Sequence, residues 1–253
     1  MRYKPLLVLF FLCGFLHGAW GQALQFVVPD YYWNRIKNIS QFMERFSRRE
    51  IPPTVDSNNI ELPYIQVISC FCIDSVQNQK EEVVEFVRHM VDNNITLNLH
   101  APNYYCELKC KASYLGRPTI VTMRLVMELT ADSGYCWSIA QASGEALQLI
   151  PNSTTPTMRL SPIDNDMEFN NLFEVLETHP QDLLNYTHST LSIDETTSFM
   201  ALVATKQLKI KSIDDMQYIF NVGGYEFKVR CFNRETNNNG WLIYNFTKNA
   251  DDK

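Results

Sequence analysis

Cysteine and histidine are the residue types in this 253-residue chain that could support redox or metal chemistry. Cys106 and Cys110 do not have the two-residue spacing of a redox dithiol, and on a strand they would lie far apart. Four histidines lack a second ligand at a zinc-motif spacing: His89, His100, His179 and His188. Nucleophile-elbow, P-loop and dinucleotide motifs are also missing. The sequence therefore predicts no catalytic residue, no metal site and no cofactor.

The cysteine count instead favours structural disulfides. Six cysteines follow the N-terminal segment: Cys70, Cys72, Cys106, Cys110, Cys136 and Cys231. An even number in an exported chain is typical of a disulfide framework. Five lie in the first half of the chain, so full pairing needs one bridge to the second half, and we expect it between Cys136 and Cys231. We expect Cys106 and Cys110 to be held to the Cys70–Cys72 segment.

The N-terminal segment has the pattern of a secretory signal. Arg2 and Lys4 precede the apolar run Leu6–Leu16, and small residues follow it. This pattern predicts a signal peptide over residues 1–21, with cleavage before Gln22. A membrane anchor is disfavoured because the run is too short to span about 30 Å of hydrocarbon. We expect a secreted, extracellular protein with no membrane span in the mature chain.

Glycosylation sequons support the same compartment. Five are present, at Asn38, Asn94, Asn152, Asn185 and Asn245. Loss of the two basic residues of the signal takes the formal net charge from −6 to −8. An acidic chain without a basic stripe is a poor candidate for nucleic acid binding.

One basic cluster remains, formed by Arg45, Arg48 and Arg49. It resembles a cleavage site for secretory-pathway proteases near Arg48-Arg49. The alternative is the solvated last turn of a helix, where positive charge meets the negative end of the helix dipole. The helical interpretation is favoured because helical backbone resists protease clefts.

Apolar periodicity predicts helices and strands in the first half. One amphipathic helix is expected over Asp30–Arg48, and another begins near Glu81 with Asn78 as its cap. The apolar stretch Ile60–Ile73 predicts a strand buried on both faces, and Ile95–Leu99 predicts a short strand.

An antiparallel meander is predicted from Tyr104 to Ala142, where apolar and polar residues alternate. Its inward face could line a ligand pocket, for which the candidate residues are Tyr104, Leu108, Tyr114, Met123, Leu125 and Tyr135. This face carries no Asp, Glu or His, since Glu107 and Glu128 fall on the outer face. The pattern therefore argues against catalysis.

The proline-containing stretch 151–166 predicts a linker. It would join an α+β domain over 22–150 to a second α+β domain over 167–253. In the second domain we expect helices after Asp166 and after Pro180, followed only by strands.

Three features of the sequence mark those later strands. The apolar run Phe199–Thr205 is read as the first of them. Gly223-Gly224 predicts a tight hairpin, and Trp241–Phe246 predicts the last strand. The strands of the second domain are expected to form a second meander.

The order of elements resembles the NTF2-like fold, and in particular small secreted NTF2-like domains of nematodes. The similarity lies in a helix, a cysteine-bearing strand, a helix beginning Lys80-Glu81-Glu82-Val83-Val84, and a meander ending in Tyr135-Cys136-Trp137. It covers Asp30 to Ala142. The resemblance implies a curved antiparallel sheet packed by helices around an apolar cone, with two such halves in this chain. Members of the family use the cone as a ligand site, an active site, a filled core or a dimer surface.

Together these patterns predict a secreted, disulfide-stabilised glycoprotein that acts as a non-catalytic binding or interaction module. Its partner would be a protein or a small apolar ligand. The alternative is an NTF2-like hydrolase or isomerase with its site in the sheet cone. A third interpretation is a precursor that is cut after Arg49.

Overall fold

The structure is a computed structural model that describes residues 35–49, 61–148, 177–178, 194–235 and 238–249. The described residues form four α-helices: α1 (Ile39–Phe46), α2 (Leu62–Ile68), α3 (Lys80–Asp92) and α4 (Glu195–Ala204). They also form six strands: β1 (Tyr104–Tyr114), β2 (Arg117–Leu129), β3 (Tyr135–Ser143), β4 (Leu208–Val222), β5 (Tyr225–Phe232) and β6 (Gly240–Lys248). The α+β class is confirmed.

All six strands belong to one antiparallel sheet with the order β3-β2-β1-β4-β5-β6. The two predicted meanders are therefore joined edge to edge, with β1 beside β4. The Gly223-Gly224 hairpin is confirmed, since Val222 pairs with Tyr225 and the two glycines have φ angles of 58° and 73°. Positive φ at both central residues is what a type I′ turn requires.

The described residues fall into two compact units. Unit 1 takes its residues from Met1–Glu107, Val126–Trp137 and Met216–Lys253. Unit 2 takes its residues from Leu108–Leu125 and Ser138–Asp215.

Unit 1 has a core made largely of aromatic rings. The ring of Phe227 stacks on those of Phe220 and Phe46, with centroids 5.0 and 5.4 Å apart. Phe86 from α3 meets Phe71 and Phe227 edge to face. Such close ring contacts show that α1 and α3 pack directly on the β4–β5 hairpin, so this part of the unit is filled.

In unit 2, the start of α4 is hydrogen-bonded to the end of β3. Asp194 is the N-cap of this helix, and its carboxylate accepts a hydrogen bond of 2.7 Å from Thr197 N. The next two side chains accept hydrogen bonds from the end of β3: Glu195 Oε2 from Gly144 N at 2.9 Å, and Thr196 Oγ1 from Ala142 N at 3.1 Å. These bonds satisfy backbone donors that have no strand partner there.

The predicted strand Ile60–Ile73 is wrong, because Leu62–Ile68 is helical. Pro63 stands in the first turn, where a helix tolerates it. Leu62 and Ile65 are buried at the three-residue spacing of a helix. After the helix, the chain runs briefly beside β6, where Phe71 forms an isolated parallel bridge with Ile243.

The predicted strand Phe199–Thr205 is also wrong, since α4 covers Glu195–Ala204. The segment Ile95–Leu99 forms no strand, and its backbone is irregular. The first described helix begins at Ile39, with Asn38 as its N-cap rather than a residue inside the helix. α3 begins after Gln79, which makes no side-chain capping bond, so the capping box at Asn78 is wrong.

Several predictions lie outside the described residues. These are the signal peptide over residues 1–21, the linker over 151–166 and the helices after Asp166 and Pro180. Within the two expected helices only Glu177 and Thr178 are described, and both are helical. The division into domains 22–150 and 167–253 stays a prediction. Among the helices of the described residues, none is long and apolar enough to cross a membrane.

Candidate binding surface on unit 1

Large apolar side chains are exposed where β2 ends and β3 begins. Leu129 is 64% exposed, Tyr135 45% and Trp137 37%. We call Leu129, Tyr135 and Trp137 the aromatic surface. A single exposed apolar residue is unremarkable in a folded protein, but three exposed large apolar residues on one hairpin are a candidate contact site.

The turn before β3 fixes the position of this surface. Thr130 N donates to Gly134 O at 2.8 Å, and Ser133 N donates to Thr130 O at 3.0 Å. Thr130 Oγ1 also donates to the carboxylate of Asp132, and this hydrogen bond is the main reason that the pKa of Asp132 lies below its usual value. These bonds close the turn tightly, so Leu129 and Tyr135 are held on the two arms of a defined hairpin.

Tyr135 is covered on one side by His100. Their rings are stacked with centroids 3.9 Å apart and planes 11° apart. His100 is itself placed by the turn after α3, where its backbone N–H donates to Asn98 Oδ1 at 3.0 Å. His100 therefore holds the orientation of an exposed tyrosine while it is itself exposed.

Trp137 rests on two tyrosines of the sheet. Its ring meets Tyr104 edge to face, with centroids 5.8 Å apart, and Tyr218 at 6.1 Å. Tyr104 in turn stacks on Phe220 with centroids 5.1 Å apart, and its hydroxyl donates to Leu99 O at 2.6 Å. The exposed tryptophan therefore stands on a platform that continues into the core.

The titratable groups below Trp137 are uncharged at neutral pH. Burial raises the pKa of Tyr104 to about 12 and the pKa of the Cys106 thiol to about 11. Burial also raises the pKa of Tyr218, whose hydroxyl is hydrogen-bonded to Cys106. At neutral pH these groups are protonated, so they support the surface as uncharged side chains.

The chemistry of this arrangement suits binding. The surface presents ring faces and a leucine, which suit an apolar or planar group of a partner. Tyr and Trp are also the residues most often found at the energetic centre of protein interfaces. No group of three or more His, Cys, Asp or Glu among the described residues could hold a metal ion.

The six candidate pocket residues divide between the two units. Tyr104 is buried and Tyr135 is exposed in unit 1, and they do not share a ring contact among those found for the described residues. The others belong to unit 2, where Leu108 and Met123 are buried and Tyr114 and Leu125 are half-buried. Trp137, which completes the surface in unit 1, was not among the candidates.

The expected outward position of Glu107 is supported by its neighbours. Its carboxylate accepts a 2.6 Å hydrogen bond from Gln217 Nε2. Gln217 Oε1 accepts from the hydroxyl of Tyr244 in turn. Gln217 alternates with Tyr218, whose ring contacts Tyr104, so this polar chain lies on the opposite face from the aromatic platform.

None of the six cysteines, all of them in described residues, forms a disulfide in this structure. The strand order contradicts the pairing of Cys136 with Cys231, because three strands separate β3 from β5. At about 4.8 Å for each step the two strands are roughly 19 Å apart, whereas a disulfide needs Cα atoms within about 7 Å. Cys231 shares the face of buried Phe227, and Cys136 faces away from the side of Trp137.

The expected tie between Cys106 and the Cys70–Cys72 segment is contradicted in the same way. Cys106 is on β1, whereas Cys72 N donates to Ile243 O of β6 at 2.8 Å. β4 and β5 lie between those strands. Disulfide bonding of the cysteines to other partners stays a prediction.

Cys72 has a polar setting that the sequence did not reveal. Arg234 Nη2 donates to its sulfur at 2.7 Å, and Ser75 Oγ does so at 3.0 Å. Arg234 Nη1 also pairs with Asp74 Oδ2 at 2.6 Å. The residues come from segments 160 positions apart, so no local pattern could have indicated this contact.

The basic cluster around Arg48 is structural in this fold. Arg45 is only 1% exposed, so the expectation of a solvated last turn is wrong for this residue. Arg48 Nη1 donates to Met90 O at 3.3 Å and to Ile95 O at 3.1 Å, and Nη2 donates to Asn94 Oδ1 at 2.8 Å. The guanidinium thereby links the last turn of α3 to the segment that follows it.

Three of the five sequon asparagines are described, and all three are exposed: Asn38, Asn94 and Asn245. Asn38 uses Oδ1 to accept from Gln41 N at 2.8 Å, which leaves its amide nitrogen for a glycan. Asn152 and Asn185 lie outside the described residues.

Comparison of the chain with protein-family models, with curated proteins and with solved structures finds no match.

Proposed function

We propose that this protein is a secreted glycoprotein that acts as a non-catalytic binding module, with the aromatic surface as its contact site. The observation that carries the proposal is the position of Tyr135 and Trp137. Both rings are exposed, yet each is fixed by a neighbouring ring below or beside it.

Rigid exposed rings favour binding because little conformational entropy is lost when a partner covers them. A protein partner fits this surface better than a small ligand, since the three side chains project from a hairpin at an edge of the sheet. An NTF2-like architecture with a curved sheet remains the architectural part of this proposal. The α+β class and the helices packed on the β4–β5 hairpin of unit 1 support it.

Site-specific photo-cross-linking tests the contact site. The full chain would carry a benzophenone amino acid at Leu129, which is on the surface, or at Arg88, which is exposed on α3. Each form would be added to extracellular fluid of the source organism and irradiated. We expect one discrete adduct from the Leu129 position that the Arg88 position does not give. No adduct at Leu129, or the same adduct at both positions, would overturn the proposal.

Secretion and glycosylation need a separate test. The chain would be expressed with its own N-terminus in a eukaryotic secretory cell. We expect a product in the medium that begins at Gln22 and loses mass when N-glycans are removed enzymatically. Retention in the cell with Met1 intact and no glycan would contradict this part of the proposal.

A further inference from the structure

The turn after α3 holds the sequon residue Asn94 in a fixed backbone position. Ile95 N donates to Met90 O at 2.9 Å, and Asn94 N donates to Val91 O at 3.0 Å. These two bonds form the Schellman motif, which ends a helix with one residue in the left-handed conformation. Asn94 is that residue, with a φ of 52°, and asparagine adopts this conformation more readily than most residues. The attachment point of a glycan is therefore rigid.

The side chain of Asn94 is oriented by Arg48. Arg48 Nη2 donates to Asn94 Oδ1 at 2.8 Å, while Nη1 donates to the backbone oxygens of Met90 and Ile95. Asn94 is exposed, and the contact with Arg48 uses only the oxygen of its amide. A glycan is linked through the amide nitrogen Nδ2. A glycan on Asn94 therefore begins beside the guanidinium of Arg48.

Arg48 belongs to the basic pair Arg48-Arg49, where the sequence resembles a protease site. Arg49 is exposed, and Arg48 has a φ of 62°, which is strained for an arginine. The backbone N–H groups of the pair donate back to α1, to Arg45 O at 3.0 Å and to Glu44 O at 2.9 Å. The ends of helices open at a small free-energy cost, so local opening can present the pair to a protease.

We propose that an N-glycan on Asn94 shields the Arg48-Arg49 pair from proteases of the secretory pathway. A protease cleft needs the arginine side chain in its specificity pocket and the adjoining backbone extended. Arg48 has to leave Asn94 for this, and it then has to pass the first sugars, which are bulky and hydrated. The reaction that the glycan blocks is hydrolysis, in which water adds across the peptide bond after Arg48 or Arg49 and leaves a new carboxylate and a new amine.

The sequon at Asn38 provides a comparison within the same helix. Asn38 is the N-cap of α1, so the eight residues of this helix separate it from the basic pair by about 12 Å. A glycan on Asn38 is therefore attached at the opposite end of α1. The inference rests on the proposed secretion and glycosylation of the protein, and it does not depend on the aromatic surface.

The test is limited proteolysis of the full chain, secreted from a eukaryotic cell as the wild type and as two single variants. Thr96→Ala removes the Asn94 sequon but keeps Asn94 and its contact with Arg48. Ser40→Ala removes the Asn38 sequon and is the matched control, since both substituted residues are exposed. Peptide mass mapping first verifies which asparagines carry glycans. Each folded protein is then incubated with a protease specific for basic pairs, and cleavage is counted where a new N-terminus follows Arg48 or Arg49.

We expect Thr96→Ala to be cut at this pair at least about tenfold faster than the wild type, and Ser40→Ala to stay within about twofold of the wild-type rate. Enzymatic removal of the glycans from the folded wild type should raise its rate to that of Thr96→Ala. The deglycosylating enzyme leaves an aspartate at position 94 that still accepts a hydrogen bond from Arg48, so this arm isolates the effect of the glycan.

The inference is overturned if Asn94 of the wild type carries no glycan, if Thr96→Ala is cut at the wild-type rate, or if Ser40→Ala is cut as fast as Thr96→Ala. Faster cleavage of Thr96→Ala without faster cleavage of the deglycosylated wild type would also overturn it, because the effect would then come from Thr96 itself. Absence of a glycan at Asn94 alone is distinguishable from failure of the proposed function, since secretion and the other glycans are read from the same mass map.

Discussion

The imidazole of His100 lies flat against the ring of Tyr135, with centroids 3.9 Å apart and planes 11° apart. Stacked aromatic pairs are worth about 0.5–1.5 kcal/mol beyond the area they bury. Both rings are partly in water, so we expect a coupling free energy of about 0.5–1 kcal/mol in a double-mutant cycle with His100→Ala and Tyr135→Ala. Urea unfolding of the wild type, the two single variants and the double variant measures this coupling free energy.

The pair His89 and Tyr225 is the control for that cycle. Its rings are 5.5 Å apart and tilted by 54°, so the overlap is poorer. We expect its coupling to be smaller than that of His100 with Tyr135. Equal coupling in the two pairs would mean that the stacking geometry contributes nothing.

Alkaline pH should weaken the fold through Cys106 and Tyr104. Burial raises the Cys106 pKa from 9.0 to about 11 and the Tyr104 pKa from 10.0 to about 12. The stabilisation from these protonated groups is complete below pH 9. It is lost as the pH rises, because the unfolded chain releases each proton first. Each group can contribute up to about 1.4 kcal/mol per pH unit.

Urea midpoints between pH 8 and 11, under reducing conditions, test this dependence. We expect Cys106→Ala to have a flatter decline than the wild type from pH 9 upward, and Cys136→Ala, whose cysteine is exposed, to keep the wild-type slope. Parallel curves for all three proteins would show that the Cys106 thiol is not kept protonated by the fold.

Gly240 is a position where a side chain cannot fit. Its φ is +94°, and a Cβ there would come within 2.0 Å of Ile36 O. That carbonyl also accepts a 3.0 Å hydrogen bond from Trp241 N, so the backbone has no room to withdraw. We expect Gly240→Ala to lower the free energy of unfolding by about 3 kcal/mol or more.

Gly116 is the matched control for steric crowding. Its φ is +84°, but a Cβ there meets nothing within 4 Å. Gly116→Ala should therefore cost only the backbone strain, about 1–2 kcal/mol. If the two variants unfold at the same denaturant concentration, Ile36 does not approach Gly240 as closely as described.

Arg48 should matter more for stability than its neighbour Arg49. Arg48→Gln removes the donors that reach Met90 O, Ile95 O and Asn94 Oδ1. Hydrogen bonds from a charged donor are worth about 1.5–3 kcal/mol, and the site is partly exposed, so we expect a loss of about 1–2 kcal/mol. Arg49→Gln should change the free energy of unfolding by less than about 0.5 kcal/mol, since Arg49 is exposed. The reverse order would contradict the linking role of Arg48.

The local sequence pattern was sufficient to predict the strands that have one buried face. The alternation of Tyr104, Cys106, Leu108 and Cys110 with more polar residues predicted β1, and the structure buries these four residues. The pattern works because the period of two matches a sheet with one face in the core. The Gly223-Gly224 hairpin was predictable from turn chemistry alone.

Short apolar runs were not sufficient to distinguish a strand from a helix. Ile60–Ile73 and Phe199–Thr205 were both expected as strands, yet helices cover Leu62–Ile68 and Glu195–Ala204. A short apolar run fits a buried strand or a helix equally well. The local signals that favour helix are Pro63 in the first turn of one segment and Asp194 at the N-cap position of the other.

Contacts between distant segments could not be inferred at all. The Cys72–Arg234 contact, for example, joins segments 162 positions apart. The expected disulfide between Cys136 and Cys231 failed for the same reason, since the cysteine count carries no information on strand order. Trp137 was noted in the sequence, but only the structure shows that it rests on Tyr104 and Tyr218.

The central claim is that Tyr135 and Trp137 make the contact with a protein partner. The most direct measurement is the affinity of the partner captured through Leu129 for purified wild type and for Tyr135→Ala/Trp137→Ala. Arg88→Ala serves as the control, and circular dichroism verifies that all three proteins are folded. Interface residues of this kind commonly carry about 2 kcal/mol or more, so the double variant should bind at least about 30-fold more weakly, and the control within about twofold. Equal affinity for the wild type and the double variant would contradict the claim.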